Sequence, residues 1–289
     1  MNQYREVLHT CGLCDSVHNN IMFYKWGYPI VKCDKCGFVE TVIPAGLDLP
    51  SIYDEEYYDG GRVDGYIDYK ASRPVLEQEF GELLTYLDAF SPQKGKLVEL
   101  GCAYGFLLKQ AENRYKKVFG FEISAPSIEY CKSEGLEVYA SVDLANILPV
   151  IGPVDVIVML DTIEHVENPR ALLQLLFDNM SEGGMLILTT GDVSSLYSKV
   201  TGKFWRLMTP PQHLSYFSVK TMTQMLKGIG FDIVRCDKPW KRVPLKLISY
   251  QILSRLGLKK IGIIERIPNV GLPVNLFDAM RVVARKSQA

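Results

Sequence analysis

The stretch Val98-Glu99-Leu100-Gly101-Cys102-Ala103-Tyr104-Gly105-Phe106 decides the fold. An apolar run of strand character ends in an acidic residue and enters a turn of small residues that opens a helix. Gly101, Ala103 and Gly105 let a ligand approach the backbone closely. A dinucleotide-type turn would read GxGxxG and set its helix N-terminus against a pyrophosphate. Here the spacing is GxAxG, and Glu99 stands before it. A carboxylate at that point repels a pyrophosphate and favours a cationic sulfonium amino acid. Glu122 lies 21 residues past Gly101, at the end of the next strand, where an acidic group can hydrogen-bond ribose hydroxyls.

Outward from this turn, helical and strand patterns alternate. Val75, Leu76, Phe80, Leu83, Leu84 and Leu87 recur at helical spacing, and the helix should stop near Ser91-Pro92. Strands are expected at Lys96–Leu100, Val118–Glu122, Glu137–Ala140, Val154–Leu160, Met185–Thr190, Phe231–Cys236 and Ala279–Arg285. Ser124 before Ala125-Pro126 and Asn168 before Pro169 read as N-caps with an early proline. Ser218 caps a further helix that Gly230 closes. Seven strands with intervening helices describe an α/β, doubly wound sheet with ligands beyond the carboxyl ends of its first strands.

The sequence resembles the class I S-adenosylmethionine-dependent methyltransferases. The resemblance rests on Glu99-Leu100-Gly101-Cys102-Ala103-Tyr104-Gly105, on Glu122, on Asp155 to Val166 (DVIVMLDTIEHV) and on Gly183-Gly184-Met185-Leu186-Ile187-Leu188, in order from about residue 72 to 236. It implies a seven-stranded Rossmann-like sheet whose last strand is antiparallel and inserted beside the sixth. It also implies S-adenosylmethionine lying across the first two strand ends. Glu99, Gly101, Ala103 and Gly105 would serve the methionyl part, Glu122 the ribose and Asp143 the adenine edge, with Asp161 a further cofactor-binding candidate. Ala103 stands where a glycine is common in the family. The Cys pairs described next, together with Leu207 to Ser218 (LMTPPQHLSYFS), are similar to a ribbon-bearing subgroup from bacterial surface-polysaccharide and nucleotide-sugar pathways. The sugar C-methyltransferases of that kind are usually longer than this chain, which leaves the substrate open.

Cys11-x-x-Cys14 and Cys33-x-x-Cys36, separated by 18 residues, read as the two knuckles of a structural zinc ribbon over residues 1–47. Between them, Ile21–Trp26 and Tyr28–Val31 read as two short strands turned at Gly27. So small a module has little apolar core, and metal supplies much of its folding energy. Four thiolates close a tetrahedral shell, so such a zinc is not catalytic. His9 and His18 lie close enough to substitute as ligands, and with four cysteines available they read as exposed polar residues. Residues 48–72 form a tyrosine-rich, acidic linker, readable as a covering layer or as a lid, and the methyltransferase domain follows over 73–289.

Across 289 residues, 32 Lys and Arg balance 33 Asp and Glu, which argues against binding nucleic acid through bulk charge. The absence of a long apolar run or leader-like N-terminus, with seven cysteines of which four are paired, suggests a reducing, cytoplasmic setting. One insert departs from the balance. Residues 238–266 hold eight basic side chains and a single acidic one, Glu265, with Leu245, Ile248, Ile252, Leu253 and Leu256 on one helical face. Such a basic amphipathic helix can lie on anionic lipid, dock on its own domain or form a dimer contact.

Methyl transfer to a hydroxyl or carbon acid requires removal of a proton, which suits histidine. His213 is the candidate base, with Tyr216 assisting or orienting the substrate, and His165 is the second candidate, with loop support as its plainer role. Lys203, Trp205 and Arg206 read either as a grip for an anionic acceptor or as a solvated turn. Asp161-x-x-Glu164-His165 also admits a divalent cation that polarises the acceptor. The expected function is methylation of an oxygen or carbon of a sugar, nucleotide-sugar or related small polar acceptor, lipid-linked acceptors included. The rivals are an RNA methyltransferase that uses the ribbon as a reader, and a non-catalytic cofactor-binding module.

Overall fold

The computed structural model describes residues 9–48, 69–90, 94–255, 267–268 and 270–287. At the N-terminus, β1 (Asn19–Lys25) and β2 (Tyr28–Cys33) form an antiparallel hairpin through the two-residue turn Trp26-Gly27. Both turn residues have positive φ, 50° and 87°, the twist that suits a tight hairpin. β3 (Val39–Thr41) follows the second cysteine pair and lies against β2.

The helix α1 (Arg73–Asp88) buries Val75, Leu76, Phe80, Leu83, Leu84 and Leu87, the six residues whose spacing predicts that face. Strands and helices then alternate: β4 (Lys96–Leu100), α2 (Phe106–Ala111), β5 (Lys117–Glu122), α3 (Ala125–Ser133), β6 (Val138–Ala140), α4 (Leu144–Ile151), β7 (Val154–Leu160), α5 (Pro169–Asp178) and β8 (Met180–Gly191). After α6 (Leu196–Thr201), β9 (Ser215–Tyr216) and α7 (Val219–Ile229) come β10 (Phe231–Asp237), β11 (Lys241–Pro244), α8 (Leu245–Arg255), β12 (Gly271–Val274) and β13 (Ala279–Lys286). Asn168 Oδ1 caps α5 by accepting from the N–H of Ala171 at 3.0 Å, and Ser218 with Thr221 forms a reciprocal capping box on α7.

Seven strands make one sheet in the order β10-β13-β8-β7-β4-β5-β6. β4–β5, β5–β6 and β7–β8 are parallel, and β13 runs antiparallel between β8 and β10. The strand pattern predicts the doubly wound sheet, and the antiparallel last strand inserted beside the sixth is the feature that the family resemblance implies. Strands such as β7, with Val156, Ile157, Val158 and Met159 fully buried, are covered on both faces, as parallel strands require. The described residues divide into two compact units, one drawn from 9–48, 145–239 and 276–287, the other from the described parts of 69–144 and 240–275.

Two features have no local sequence signal. β3 continues through β9 into a four-stranded sheet, pairing Val39 with Tyr216 and Glu40 with Ser215. A strand of two residues shows no alternation, so only the long-range pairing reveals it. The basic insert opens with a strand, β11, paired with β12, and its charges are partly satisfied at home. Arg242 donates to Glu82 at 2.6 and 3.0 Å, and Lys238 pairs with the buried Asp192. The insert's helix exists, but Leu245 to Tyr250 are all half-buried, without a division into wet and dry faces. Its residues 256–266, and residues 49–68 of the tyrosine-rich stretch, lie outside the described residues. Among the described residues no helix is long and apolar enough to cross a membrane.

Candidate functional site

The glycine turn after β4, the candidate cofactor turn, is left-handed three times, at Gly101 (φ 72°), Ala103 (46°) and Gly105 (68°). Ala103 therefore occupies backbone space that a side chain rarely enters, and its own N–H holds it there by donating to Glu122 Oε2 at 2.7 Å. Glu122 Oε1 accepts from the N–H groups of Ile123 and Ser124 at 2.8 and 3.0 Å, so this carboxylate fastens both the turn and the loop after β5. Glu99 is buried without that support. Its Oε2 has no hydrogen-bond partner among the described residues, and burial, with Cys131 and Glu122 nearby, pushes its pKa well above the carboxylate range. A buried acidic oxygen with no donor is what a cationic ligand group would complete.

Aromatic rings back the turn. Tyr69 stacks on Phe106 at 5.7 Å and tilts against Tyr104 at 5.7 Å, and Lys70 Nζ sits 4.7 Å over the Tyr104 ring. The described end of the tyrosine-rich stretch is thus packed, with Tyr69 buried. Asp143 lies in a short turn after β6 and lines an open cleft of about 380 Å³ with Ala125, Ile128, Lys132 and Tyr139.

In the other unit, Asp161 directly follows β7 and is exposed and left-handed (φ 49°). Its N–H donates to the Thr189 carbonyl at 3.0 Å, and its Oδ1 accepts the Thr189 hydroxyl at 3.0 Å. A short 3-10 turn, Ile163–His165, then brings Glu164 and His165 to His213. The two imidazoles meet edge to face, with centroids 4.6 Å apart. His165 Nδ1 lies 2.9 Å from the Gln212 carbonyl, which can only accept, so Nδ1 carries the proton and Nε2 is the basic nitrogen. Burial lowers the pKa of both rings and, with added repulsion from His165, takes His213 down to about 3, against the opposing influence of Asp161. Both are neutral at physiological pH.

The segment carrying His213 is held from three sides. Leu214 N–H donates to the Glu164 carbonyl, and Thr41 N–H to the Leu214 carbonyl, each at 2.8 Å. Thr41 Oγ1 bonds the His213 carbonyl at 2.8 Å and the Tyr216 hydroxyl at 3.1 Å. Tyr216 is buried in a cluster with Ile30, Val39, Trp205 and Met208. Burial raises its phenol pKa, so it stays protonated. Trp205 does not grip an acceptor: it is buried, and its indole N–H donates to Asp278 at 2.9 Å because an interior N–H must find an acceptor. Arg206, exposed like Lys203, forms a two-pronged pair with the same carboxylate at 2.9 and 3.0 Å. Thr41 and Asp278 were not legible as site neighbours, since each acts across more than 70 residues of chain.

Cys11, Cys14, Cys33 and Cys36 gather with all four sulfurs within 4.8 Å. The Cys11–Cys36 and Cys14–Cys33 separations are 3.6 Å, too long for disulfides and close to the edge of about 3.8 Å of a tetrahedral four-thiolate zinc shell. Glu40 braces the first knuckle, accepting from the N–H of Gly12 at 3.2 and 3.3 Å and pairing with His9 at 3.1 Å. A second group that could hold a metal ion is Glu164, His165 and His213.

A methyltransferase-domain family model matches residues 75–235, more than half of the chain, and the chain belongs to that family. Its class is the S-adenosylmethionine-dependent methyltransferases. Among curated proteins it is similar to a ubiquinone biosynthesis O-methyltransferase of Cupriavidus pinatubonensis, 22% identical over 164 residues, covering 52% of this chain and 66% of that protein. A SAM-dependent methyltransferase from Archaeoglobus fulgidus shares the fold at TM-score 0.50 and 18% identity, over 74% of this chain and 94% of that one. So does magnesium protoporphyrin IX methyltransferase from Synechocystis PCC 6803 with bound SAH, at TM-score 0.51 and 17% identity, over 82% of this chain and 99% of that one.

Proposed function

We propose that the protein methylates an oxygen or carbon of a sugar, nucleotide-sugar or related small polar acceptor. The observation that carries this reading is the neutral His165–His213 pair, a base for an acceptor that must lose a proton. S-adenosylmethionine, when bound, supplies a methyl group on a sulfonium. Glu99 would face the cationic amino-acid end, Gly101, Ala103 and Gly105 would admit it against the backbone, and Glu122 and Asp143 would take ribose and adenine. Asp161 lies at the end of β7 and biases both imidazoles toward holding a proton. His165, oriented through Nδ1 by Gln212, takes the acceptor's proton on Nε2. His213 packs edge-on against His165, and Tyr216 orients the segment. Residues 1–47 act as a zinc ribbon that is structural, since four thiolates leave no open position.

The test incubates the protein with methyl-labelled S-adenosylmethionine and a metabolite-plus-membrane extract, with and without RNase. Label in a small anionic or lipid-linked fraction, abolished by His213→Ala or His165→Ala, supports the reading. RNase-sensitive label makes the ribbon a nucleic-acid reader instead.

A second reading is favoured by the convergence of Glu164, His165 and His213. A divalent cation held there would polarise the acceptor oxygen, and the imidazoles would be ligands rather than a base. Activity lost to a chelator and restored by magnesium or manganese, with the ribbon's zinc retained, selects it.

A further inference from the structure

The hairpin β1–β2 and the segment Leu196–Phe204 meet at a surface that is apolar, aromatic and cationic at once. Lys25 ties them together: its Nζ donates to the Lys203 carbonyl at 3.0 Å and lies 4.7 Å from the Trp26 ring and 5.7 Å from the Phe204 ring. Leu196 and Val200, one turn apart on α6, are 78% and 77% exposed, Phe204 in the short 3-10 turn that follows is 75% exposed, and Trp26 is 61% exposed. Four such side chains in water mark a surface that binds something. Their neighbours indicate what. Val17–Lys32 and Val193–Ser218 contain no Asp or Glu, and they bring Lys25, Lys32, Lys199 and Lys203.

Trp26 supplies an independent argument. It occupies the first position of a two-residue turn at φ 50°, where Asn-Gly is the favoured pair and a large side chain is opposed by local sterics. Burial does not offset that strain, because the ring faces solvent. A rule of local structure broken at an exposed position points to function. A rigid outward aromatic flanked by lysines is the pattern of side chains that seat at a membrane–water interface.

We infer that this surface seats the protein on an anionic bilayer. Trp26, Leu196, Val200 and Phe204 enter the headgroup boundary, and Lys25, Lys199 and Lys203 face lipid phosphate. So few apolar groups and charges give weak, reversible binding that salt reverses. The inference is independent of the acceptor, and it moves membrane contact from the basic insert to this face.

The experiment is co-sedimentation of the full chain with phosphatidylcholine vesicles and with mixed phosphatidylcholine–phosphatidylglycerol vesicles. Binding to the mixed vesicles alone, weakened about fivefold by Lys199→Gln or Lys203→Gln and about tenfold or more by Trp26→Asn with Phe204→Ser, is expected. Trp26→Asn restores the favoured turn pair and Phe204 is exposed, so both variants keep the fold. Three results overturn the inference: no vesicle binding, binding that these variants leave unchanged, or binding lost only in Lys259→Gln/Lys260→Gln. A dimer in sedimentation velocity that Phe204→Ser dissolves, without vesicle binding, assigns the patch to a second copy of the chain instead.

Discussion

Thr41 and His213, 172 positions apart, are joined by a hydrogen bond of 2.8 Å from the threonine hydroxyl to the histidine carbonyl. The same hydroxyl lies 3.1 Å from Tyr216. Thr41→Val keeps the shape and leaves two buried polar groups unsatisfied, at a cost of about 1–3 kcal/mol. Thr41 acts here as a positioning residue. The expected result is a lower kcat with KM for S-adenosylmethionine unchanged, a shifted pH–rate profile, and recovery of both in Thr41→Ser. A loss of stability with an unaltered pH profile would leave Thr41 a structural bond only.

The His213 shift fixes a sign for stability. Its folded pKa, about 3, lies below the unfolded value of about 6.5, so the unfolded chain binds the proton that the native state refuses. Stability is therefore complete above about pH 6.5 and declines as pH falls toward the folded value, by about 2 kcal/mol between pH 6.5 and 5. Urea melts across that range should show the slope in the native protein and a shallower one in His213→Gln.

The proposed placement of Glu99 against the cationic end of the cofactor predicts that binding is linked to a proton. Its raised pKa reflects a buried carboxyl without a counter-ion, and a bound cation would favour the ionised form. Binding should then release a proton, and affinity should rise with pH through the pKa of the free protein. Titration calorimetry in two buffers of different ionisation enthalpy measures the release. Glu99→Gln should abolish the buffer dependence and weaken binding, by about tenfold or more if the ion pair carries a typical charge-assisted contribution.

Gly105 tests the turn itself. A β-carbon there would sit 2.5 Å from Leu136 Cδ1 and 3.0 Å from Cys131 Sγ, on a backbone at φ 68° that alanine resists. Gly105→Ala should cost more than about 1 kcal/mol and weaken S-adenosylmethionine binding, read by thermal melts with and without cofactor. Ala103→Gly, which relieves a similar φ with no new contact, should preserve binding.

Removal of metal from the cysteine cluster should loosen the N-terminal sheet first. Metal analysis should find one zinc per chain, lost in Cys36→Ser. Amide exchange in that variant should speed up at Ile30, Val39 and the paired Tyr216 more than in β4 or β5.

Much of the fold was legible because it repeats local rules. The six buried positions of α1, the caps Asn168 and Ser218, and the strand endings at Leu100 and Glu122 follow from periodicity and turn chemistry within a few residues. The cysteine knuckles were legible for the same reason. The histidine segment was legible only in part. His165 and His213 were nameable as residues, but their edge-to-face contact, Thr41 above the loop and the Asp278 clamp depend on pairings across most of the chain. Tryptophan at 205 illustrates the cost of reading locally: beside two basic residues it resembles a ligand grip, whereas its ring is core and its N–H is committed to a buried carboxylate.

The position of that carboxylate sets an order for synthesis. The strands that carry the cofactor turn, β4 to β6, leave the ribosome well over a hundred residues before Asp278 at the head of the last strand. Until that strand inserts between β8 and β10, Trp205 and Arg206 lack their acceptor, and the sheet edge at β8 stays open to other chains. The growing chain can thus complete the glycine turn after β4 while Trp205 and Arg206 still wait for the carboxylate that fixes them.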